Sequence, residues 1–484
     1  MHIQQLYTGC LSEAAYYIES EGVAAIIDPM RDIDAYLALA KERNAKIQYV
    51  FETHFHADFI SGHLDLSKAT GAPIIYGPLT KAEYDIQIAK DHQVFPLGKC
   101  SIEVLHTPGH TLESTCFLLK DEQQQPYAVF TGDTLFVGDV GRPDLAQKGE
   151  ELTKEDLAGM LYDSLQEKIL PLPDSVFVYP AHGAGSSCGK NLGPSTSSTI
   201  GEQRQTNYAL QAATKAEFIK VVTENLPEPP GYFPINANIN KTGYTDLNVV
   251  LDKAMQALSA PEFQKAAAQE NVWVLDTRDK EIFTQGFIPN SLFIGLNGRF
   301  AEWAGSLIPF DKKLLLVTDP GMEKEAMIRL ARVGFDKMIG FLEGGFDSWQ
   351  EAGLPTDLII DVMSDELAMD LPFDEHILVM DVRKPAEYDL GHVADSVNIP
   401  LSTLMDPLRL APIEDTDNLY IHCQSGYRSV IAASILKRQG FHNLRNVQGG
   451  WKAIEKEEKI PVAVTIKDTE TQDLDLDLKE SSQN

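Results

Sequence analysis

The sequence predicts a multi-domain α/β protein, on three observations. Over the first 245 or so residues, short β-rich runs such as Ala24-Ala25-Ile26-Ile27-Asp28 and Tyr127-Ala128-Val129-Phe130 alternate with loops dense in His, Asp and Gly, the pattern of layered α/β architecture. Beyond that point the chain repeats itself: Val274-Leu275-Asp276-Thr277-Arg278 returns as Val379-Met380-Asp381-Val382-Arg383. At the same offset Gly286, Ser291, Leu296 and Gly344-Gly345 return as Gly391, Ser396, Leu401 and Gly449-Gly450. In each copy an apolar run ending in Asp-x-Arg reads as a buried strand, followed by a helix and a second short strand (Ser291 to Leu296; Ser396 to Ile399), which implies a doubly wound sheet.

A length of 484 residues suits three domains at roughly 100 to 200 residues each. A Pro-, Asn- and Gly-rich stretch between Pro227 and Tyr244 reads as loop or linker and closes a first domain at 1–245; the two copies then occupy 246–356 and 357–466. The tail 467–484, with Asp468-Thr469-Glu470-Thr471-Gln472-Asp473, is acidic and too polar to bury a core, and is expected to be disordered. Hydrophobic residues make up 43% and charged residues 23%, ordinary for globular domains. A net charge of −30 repels phosphate backbones and anionic lipid, so no nucleic-acid or membrane partner is expected. Met1-His2-Ile3-Gln4-Gln5 lacks the basic and apolar run of a secretory signal, and five widely spaced cysteines suit reduced thiols better than a disulfide framework. The expected compartment is the cytoplasm; oligomeric state is open, a homo-oligomer being one option.

Chemistry concentrates first after the apolar run Ile47-Gln48-Tyr49-Val50-Phe51. There Thr53-His54-Phe55-His56-Ala57-Asp58-Phe59-Ile60-Ser61-Gly62-His63 holds three His and one Asp. Further ligand types follow at the ends of strand-like segments: His110 in Thr107-Pro108-Gly109-His110-Thr111, Asp133 in Phe130-Thr131-Gly132-Asp133-Thr134, and His182 in Tyr179-Pro180-Ala181-His182-Gly183. A lone His is most often an ordinary hydrogen-bonded residue, but a whole ligand set beside turn-forming glycines points to a metal.

These segments resemble the metallo-β-lactamase superfamily, with its His-x-His-x-Asp-His motif, over about the first 240 residues. The resemblance implies an αββα sandwich with metal at the ends of the sheets. Two-metal members carry a His directly after the motif Asp; here that position is Phe59, whose ring cannot ligate, which favours a single metal. Two imidazoles and one carboxylate form the facial triad that leaves positions open on Fe(II). The superfamily's persulfide dioxygenases use such a set, and the likeness implies His54, His110 and Asp133 as ligands of one Fe(II). His56, Asp58 and His182 would then be outer groups that orient the ligands. Arg142, in Gly138-Asp139-Val140-Gly141-Arg142-Pro143-Asp144, reads equally as a loop residue paired with Asp or as a contact for an anionic substrate; Cys188, six residues after His182 in a Gly-rich loop, reads either as a residue that approaches the site or as a structurally buried thiol.

The second centre follows Leu419-Tyr420-Ile421-His422. Cys423-Gln424-Ser425-Gly426-Tyr427-Arg428-Ser429 leads into a run of helix formers, Val430 to Lys437, and a thiol at a strand-to-helix turn faces amides and a positive dipole end that favour the thiolate. Four residues separate Cys423 from Arg428, one fewer than in the phosphate cradle of Cys-dependent phosphatases, a tighter ring suited to a terminal sulfur atom. This resembles the rhodanese family, whose Cys cycles through a persulfide, and the likeness covers both copies from about 260 to 465. It implies persulfide carriage on Cys423, cradled by Arg428 and the loop amides. The first copy reads Leu316-Val317-Thr318-Asp319-Pro320-Gly321-Met322-Glu323, without a cysteine, and is expected to be inactive.

The three-part order looks like the fused persulfide dioxygenase-sulfurtransferases of bacterial sulfide detoxification. In that family a low-molecular-weight thiol persulfide and O2 give sulfite, which a sulfane sulfur from the rhodanese Cys converts to thiosulfate. Two rivals are a two-zinc thioester hydrolase of the glyoxalase II type and a non-catalytic persulfide carrier.

Overall fold

The computed structural model describes residues 1–146, 152–190, 192–414 and 416–465; the acidic tail 467–484 lies outside them. They fall into two compact units, one of residues 1–254, 298–310 and 327–337, the other of residues 255–297, 311–326 and 338–465.

The first unit contains two six-stranded sheets. One runs in the order His2–Thr8, Glu13–Ser20, Val23–Ile27, Lys46–Glu52, Ile74–Tyr76, Gln87–Ile88; the other runs Ser198–Thr199, Phe177–Pro180, Pro126–Gly132, Thr115–Lys120, Cys100–His106, Val94–Leu97. Side-chain alternation makes the layers. From Glu13–Ser20, Ala14, Tyr16 and Ile18 share a core with Phe51, Phe117, Leu119 and Phe130 of both sheets. Ala15 and Tyr17 point the other way, into a layer with Tyr36 of helix Asp34–Glu42 and Leu66 of helix His63–Thr70. On the second sheet Leu118 and Val129 face outward against Leu161 of helix Lys154–Ser164 and Phe218 of helix Lys215–Thr223. Helix, sheet, sheet, helix is the αββα sandwich.

The stretch read as a linker contains a helix, Phe233–Thr242, with Pro234 in its first turn, where a missing N–H is harmless. Its Asn236 and Asn240, four apart on one face, are buried.

The second unit holds two parallel five-stranded sheets of the same order, one per sequence copy. The first is Ala257–Leu258, Met338–Leu342, Lys313–Val317, Val272–Asp276, Leu292–Phe293; the second is Ile360–Val362, Leu444–Val447, Asn418–His422, Ile377–Asp381, Val397–Asn398. Asp276 and Asp381 end equivalent strands and hold Arg278 and Arg383 by bidentate ion pairs, so the repeated Asp-x-Arg is a buried structural clamp in both copies. Among the described residues no helix is long and apolar enough to cross a membrane.

Candidate functional site

Strand direction gathers the ligand types of the first unit. Cys100–His106 and Thr115–Lys120 are antiparallel, as are Thr115–Lys120 and Pro126–Gly132, while Phe177–Pro180 runs parallel to Pro126–Gly132. The loops carrying His110, Asp133 and His182 therefore leave the same sheet edge. His54 arrives from the other sheet, after Lys46–Glu52. The approach needs glycine: Gly132 has φ +51°, and a Cβ there would lie 2.5 Å from the Thr53 hydroxyl.

One ligand atom each from His54, His110 and Asp133 lies within 4.8 Å of the others, all three residues buried. His54 Nε2 is 3.7 Å and His110 Nε2 3.4 Å from Asp133 Oδ2. The other ring nitrogens are occupied. His110 Nδ1 bonds the Arg142 carbonyl at 2.9 Å; His54 Nδ1 meets the Thr53 hydroxyl at 2.9 Å, which in turn donates to Asp28 Oδ2 at 2.9 Å. Burial, together with His56, His110 and His182 nearby, holds the His54 pKa well below its usual value, so the ring is a neutral donor. Both oxygens of Asp133 are buried without a hydrogen-bond partner, and an ionised carboxylate in that state is strongly unfavourable unless a cation is shared. The donor set fits a divalent metal.

His56, Asp58 and His182 form a second group within 4.8 Å, and Asp133, His182 and Cys188 a third. His182 Nε2 is 3.4 Å from Asp58 Oδ2 and 3.5 Å from Asp133 Oδ1, with Nδ1 on the Ser12 carbonyl. His56 Nε2 lies 3.2 Å from Asp28 Oδ1 and 3.5 Å from Glu52 Oε2; burial opposes its protonation, but these two carboxylates outweigh that and raise its pKa well above the usual value. Phe59 is fully buried, its ring centroid 4.3 Å from that of His56. Cys188 is buried, and burial with Asp58 and Asp133 nearby pushes its thiol pKa up.

Arg142 lies beside the loop of His110. It is 2% exposed, with its guanidinium bidentate to Asp144 (2.7 and 2.8 Å) and bonded to the Ser187 and Pro227 carbonyls. Four of its five N–H donors are engaged in this way, and its carbonyl orients His110.

Sequence reasoning missed Asn240. Its Nδ2 donates to the His56 and Phe59 carbonyls (2.8 and 2.7 Å) and its Oδ1 accepts from Ser61 N (3.0 Å), so the supposed linker pins the His-rich loop. The Asn-rich run behind a proline was the available signal. Asp28 was also missed; its contact to Thr53 is set by sheet pairing.

In the second unit Cys423 directly follows strand Asn418–His422, and helix Tyr427–Arg438 starts four residues later behind Gly426, in the left-handed region at φ +97°. Gly426 N donates to Cys423 Sγ at 3.1 Å, and the thiol is 1% exposed. Gly450, at φ +57°, lets Trp451 N reach the Cys423 carbonyl at 2.7 Å; a Cβ there would lie 2.3 Å from that oxygen. Arg428 lies within electrostatic reach of Cys423; against burial, which lowers its pKa, Glu387 and the charge of Cys423 raise it. Both its terminal nitrogens bond Glu387 at 2.7 Å, because half-buried Glu387 needs a counter-charge; the ion pair sets the mouth of the loop.

A metallo-beta-lactamase superfamily model matches residues 8–182, and a rhodanese-like domain model matches 259–352 and 364–457. The chain is 33% identical over 220 residues to persulfide dioxygenase ETHE1, mitochondrial, of Homo sapiens, covering 45% of this chain and 78% of that protein. It is 34% identical over 211 residues to the Mus musculus protein of the same name (43% and 74% covered) and 31% identical over 218 residues to glyoxylase B2 of Dictyostelium discoideum (40% and 68%). A crystal structure of a metallo-beta-lactamase from Staphylococcus aureus superposes with a TM-score of 0.61 at 32% identity, covering 71% of this chain and 98% of that one.

Proposed function

This chain belongs to the metallo-beta-lactamase superfamily, among the relatives of the persulfide dioxygenases, and carries two rhodanese-like domains; on that premise we propose that it is a cytoplasmic non-haem iron persulfide dioxygenase and sulfurtransferase of sulfide detoxification. The observation that carries the first half is the buried Asp133 carboxylate, unpartnered, beside the Nε2 atoms of His54 and His110. Fe(II) held by these three groups would supply activation of O2.

The net reaction is RSSH + O2 + H2O → RSH + sulfite + 2 H+. The chain's own part is orientation and exclusion of water. The Arg142 carbonyl and the Thr53–Asp28 pair fix the two imidazoles. Phe59 and Phe136, both fully buried, keep the neighbourhood dry.

At the rhodanese loop the Cys423 thiolate takes the outer sulfur of a thiol persulfide and releases the thiol, with the Gly426 amide stabilising charge on Sγ. A lone pair of sulfite then attacks the outer sulfur; the S–S bond breaks, its electron pair returns to Sγ, and thiosulfate leaves. Tethering carrier and oxygenase raises the effective concentration of each for the other's product.

The test is oxygen uptake and product analysis on iron-loaded protein with glutathione persulfide. Cys423→Ser retains persulfide-dependent oxygen uptake and sulfite formation but loses thiosulfate; thiosulfate at the native rate rejects the role of Cys423. The His56, Asp58 and His182 group keeps a two-zinc thioester hydrolase as the second reading, and two zincs per chain with thioester hydrolysis would favour it.

A further inference from the structure

Next to the metal group lies a small cleft of about 10 Å3, room for roughly one water, with Asp58 in its lining. Asp58 is 3.4 Å from His182, which reaches Asp133 at 3.5 Å. Ser186, Tyr232, Phe233, Arg299 and Glu302 are also among its lining residues. The last two stand inside the rhodanese-like match 259–352, in the segment 298–310 that packs with the first unit.

The wall is built by close packing. Helix Phe300–Leu307 presents Gly305 to Tyr232, where a Cβ would lie 2.8 Å from the ring. Arg299, at the start of that helix, donates to the Gly185 carbonyl and pairs with Glu302, yet its side chain stays 44% exposed. Gly185 belongs to the loop that joins His182 to Cys188. Arg299 is the cation of this lining, against Asp58, Glu302 and a net charge of −30, a field that repels anions.

We infer that segment 298–310 of the first unit, which lies within the cysteine-less rhodanese-like match, forms one wall of the entrance to the metal site, and that its Arg299 selects thiol persulfides whose thiol carries carboxylate or phosphate groups. The inference rests on the persulfide dioxygenase reading. The sulfane end must reach Asp133 through an opening too narrow for the whole molecule, so the remainder stays at the mouth, beside the guanidinium. Opening requires the 183–190 loop to yield, and an anion on Arg299 competes with the Gly185 carbonyl that restrains it. Arg299 is a specificity residue, distant from the reacting atoms.

The experiment compares kcat/KM for oxygen uptake with glutathione persulfide, coenzyme A persulfide and the uncharged persulfide of 2-mercaptoethanol, in the full iron-loaded chain and in Arg299→Ala, Arg299→Glu and Arg299→Lys. The ratio of anionic to uncharged substrate falls about fivefold in Arg299→Ala, about tenfold in Arg299→Glu, and recovers in Arg299→Lys, as expected for one exposed charge contact. The substrate with the larger fall identifies carboxylate or phosphate as the recognised group. Binding of S-methylglutathione, measured by calorimetry, weakens in the same order without turnover. A ratio within twofold of the native value in Arg299→Glu with both anionic persulfides, or equal binding of S-methylglutathione where glutathione persulfide shows the fall, overturns the inference. Absence of oxygen uptake by the native chain with all three persulfides rejects the parent reading and this one with it, an outcome distinct from indifference of the variants.

Discussion

Replacing Asn240 by alanine strips three hydrogen bonds from the loop that carries His54, His56 and Asp58: the His56 and Phe59 carbonyls lose their donor, and the Ser61 amide loses its acceptor. The side chain is 1% exposed, so water does not readily replace it. A buried group left unsatisfied costs about 1–3 kcal/mol. Carbonyls with a second lone pair sit at the lower end, and the three together come to about 3 kcal/mol. That corresponds to an opening equilibrium on the order of 100-fold more favourable. Native-state hydrogen exchange reads it directly, because the Ser61 amide donates to Asn240 and its protection reports the opening of this segment. The Ser61 amide in Asn240→Ala exchanges on the order of 100-fold faster, while strand Asn418–His422 in the other unit keeps its rate. Metal affinity falls as well, since the loop positions one of the three donors. Unaltered exchange across residues 53–63 would refute the claim that helix Phe233–Thr242 pins the metal loop.

Thr53→Val breaks the link from Asp28 to His54 Nδ1 and weakens metal binding about 10- to 100-fold, the usual effect of losing a group that orients a ligand; competition with a chelator measures it, and native affinity contradicts it. Asp133→Ala holds less than about a tenth of the native metal, yet its metal-free form unfolds at no lower urea concentration, because an unpartnered buried carboxylate has been removed; a clear loss of metal-free stability argues against the orphaned charge. Half-burial of Glu387 raises its pKa, but the Arg428 ion pair outweighs this and sets it below the usual 4.5. A group with a depressed folded pKa stabilises fully above its unfolded value, and that contribution is lost as pH falls through the folded one. The stability difference between the native protein and Glu387→Gln, about 1 kcal/mol at neutral pH for a partly exposed pair, therefore shrinks on acidification below 4.5; a gap independent of pH contradicts it.

What the sequence made legible was local. His54, His110 and Asp133 each follow a strand and sit beside a glycine or a short turn, so strand ends and ligand types were readable, and sheet topology alone brings them together. The repeat was readable because equivalent strands need the same Asp-x-Arg clamp. Residues whose role depends on distant contacts were not. Asn240 acts on a loop some 180 positions away, and the Pro-rich stretch before it looked like a connection. The Asp144 pair of Arg142 was one of its two readings, but nothing in its neighbourhood announced the Ser187 and Pro227 carbonyls that it also bonds. The ion pair of Arg428 with Glu387, 41 residues earlier, was also hidden. The contribution of residues 298–310 to the first unit is likewise a tertiary fact, invisible to a reading that assigns contiguous domains.

The central claim is that His54, His110 and Asp133 hold one iron that oxidises a persulfide. It is tested most directly by an oxygen-electrode trace on the anaerobically iron-loaded chain, with glutathione persulfide as the limiting reagent. With the sulfur-transfer branch blocked by Cys423→Ser, one O2 is expected to disappear per persulfide, with sulfite in equal amount. A flat trace from protein shown to contain one iron per chain would contradict the account.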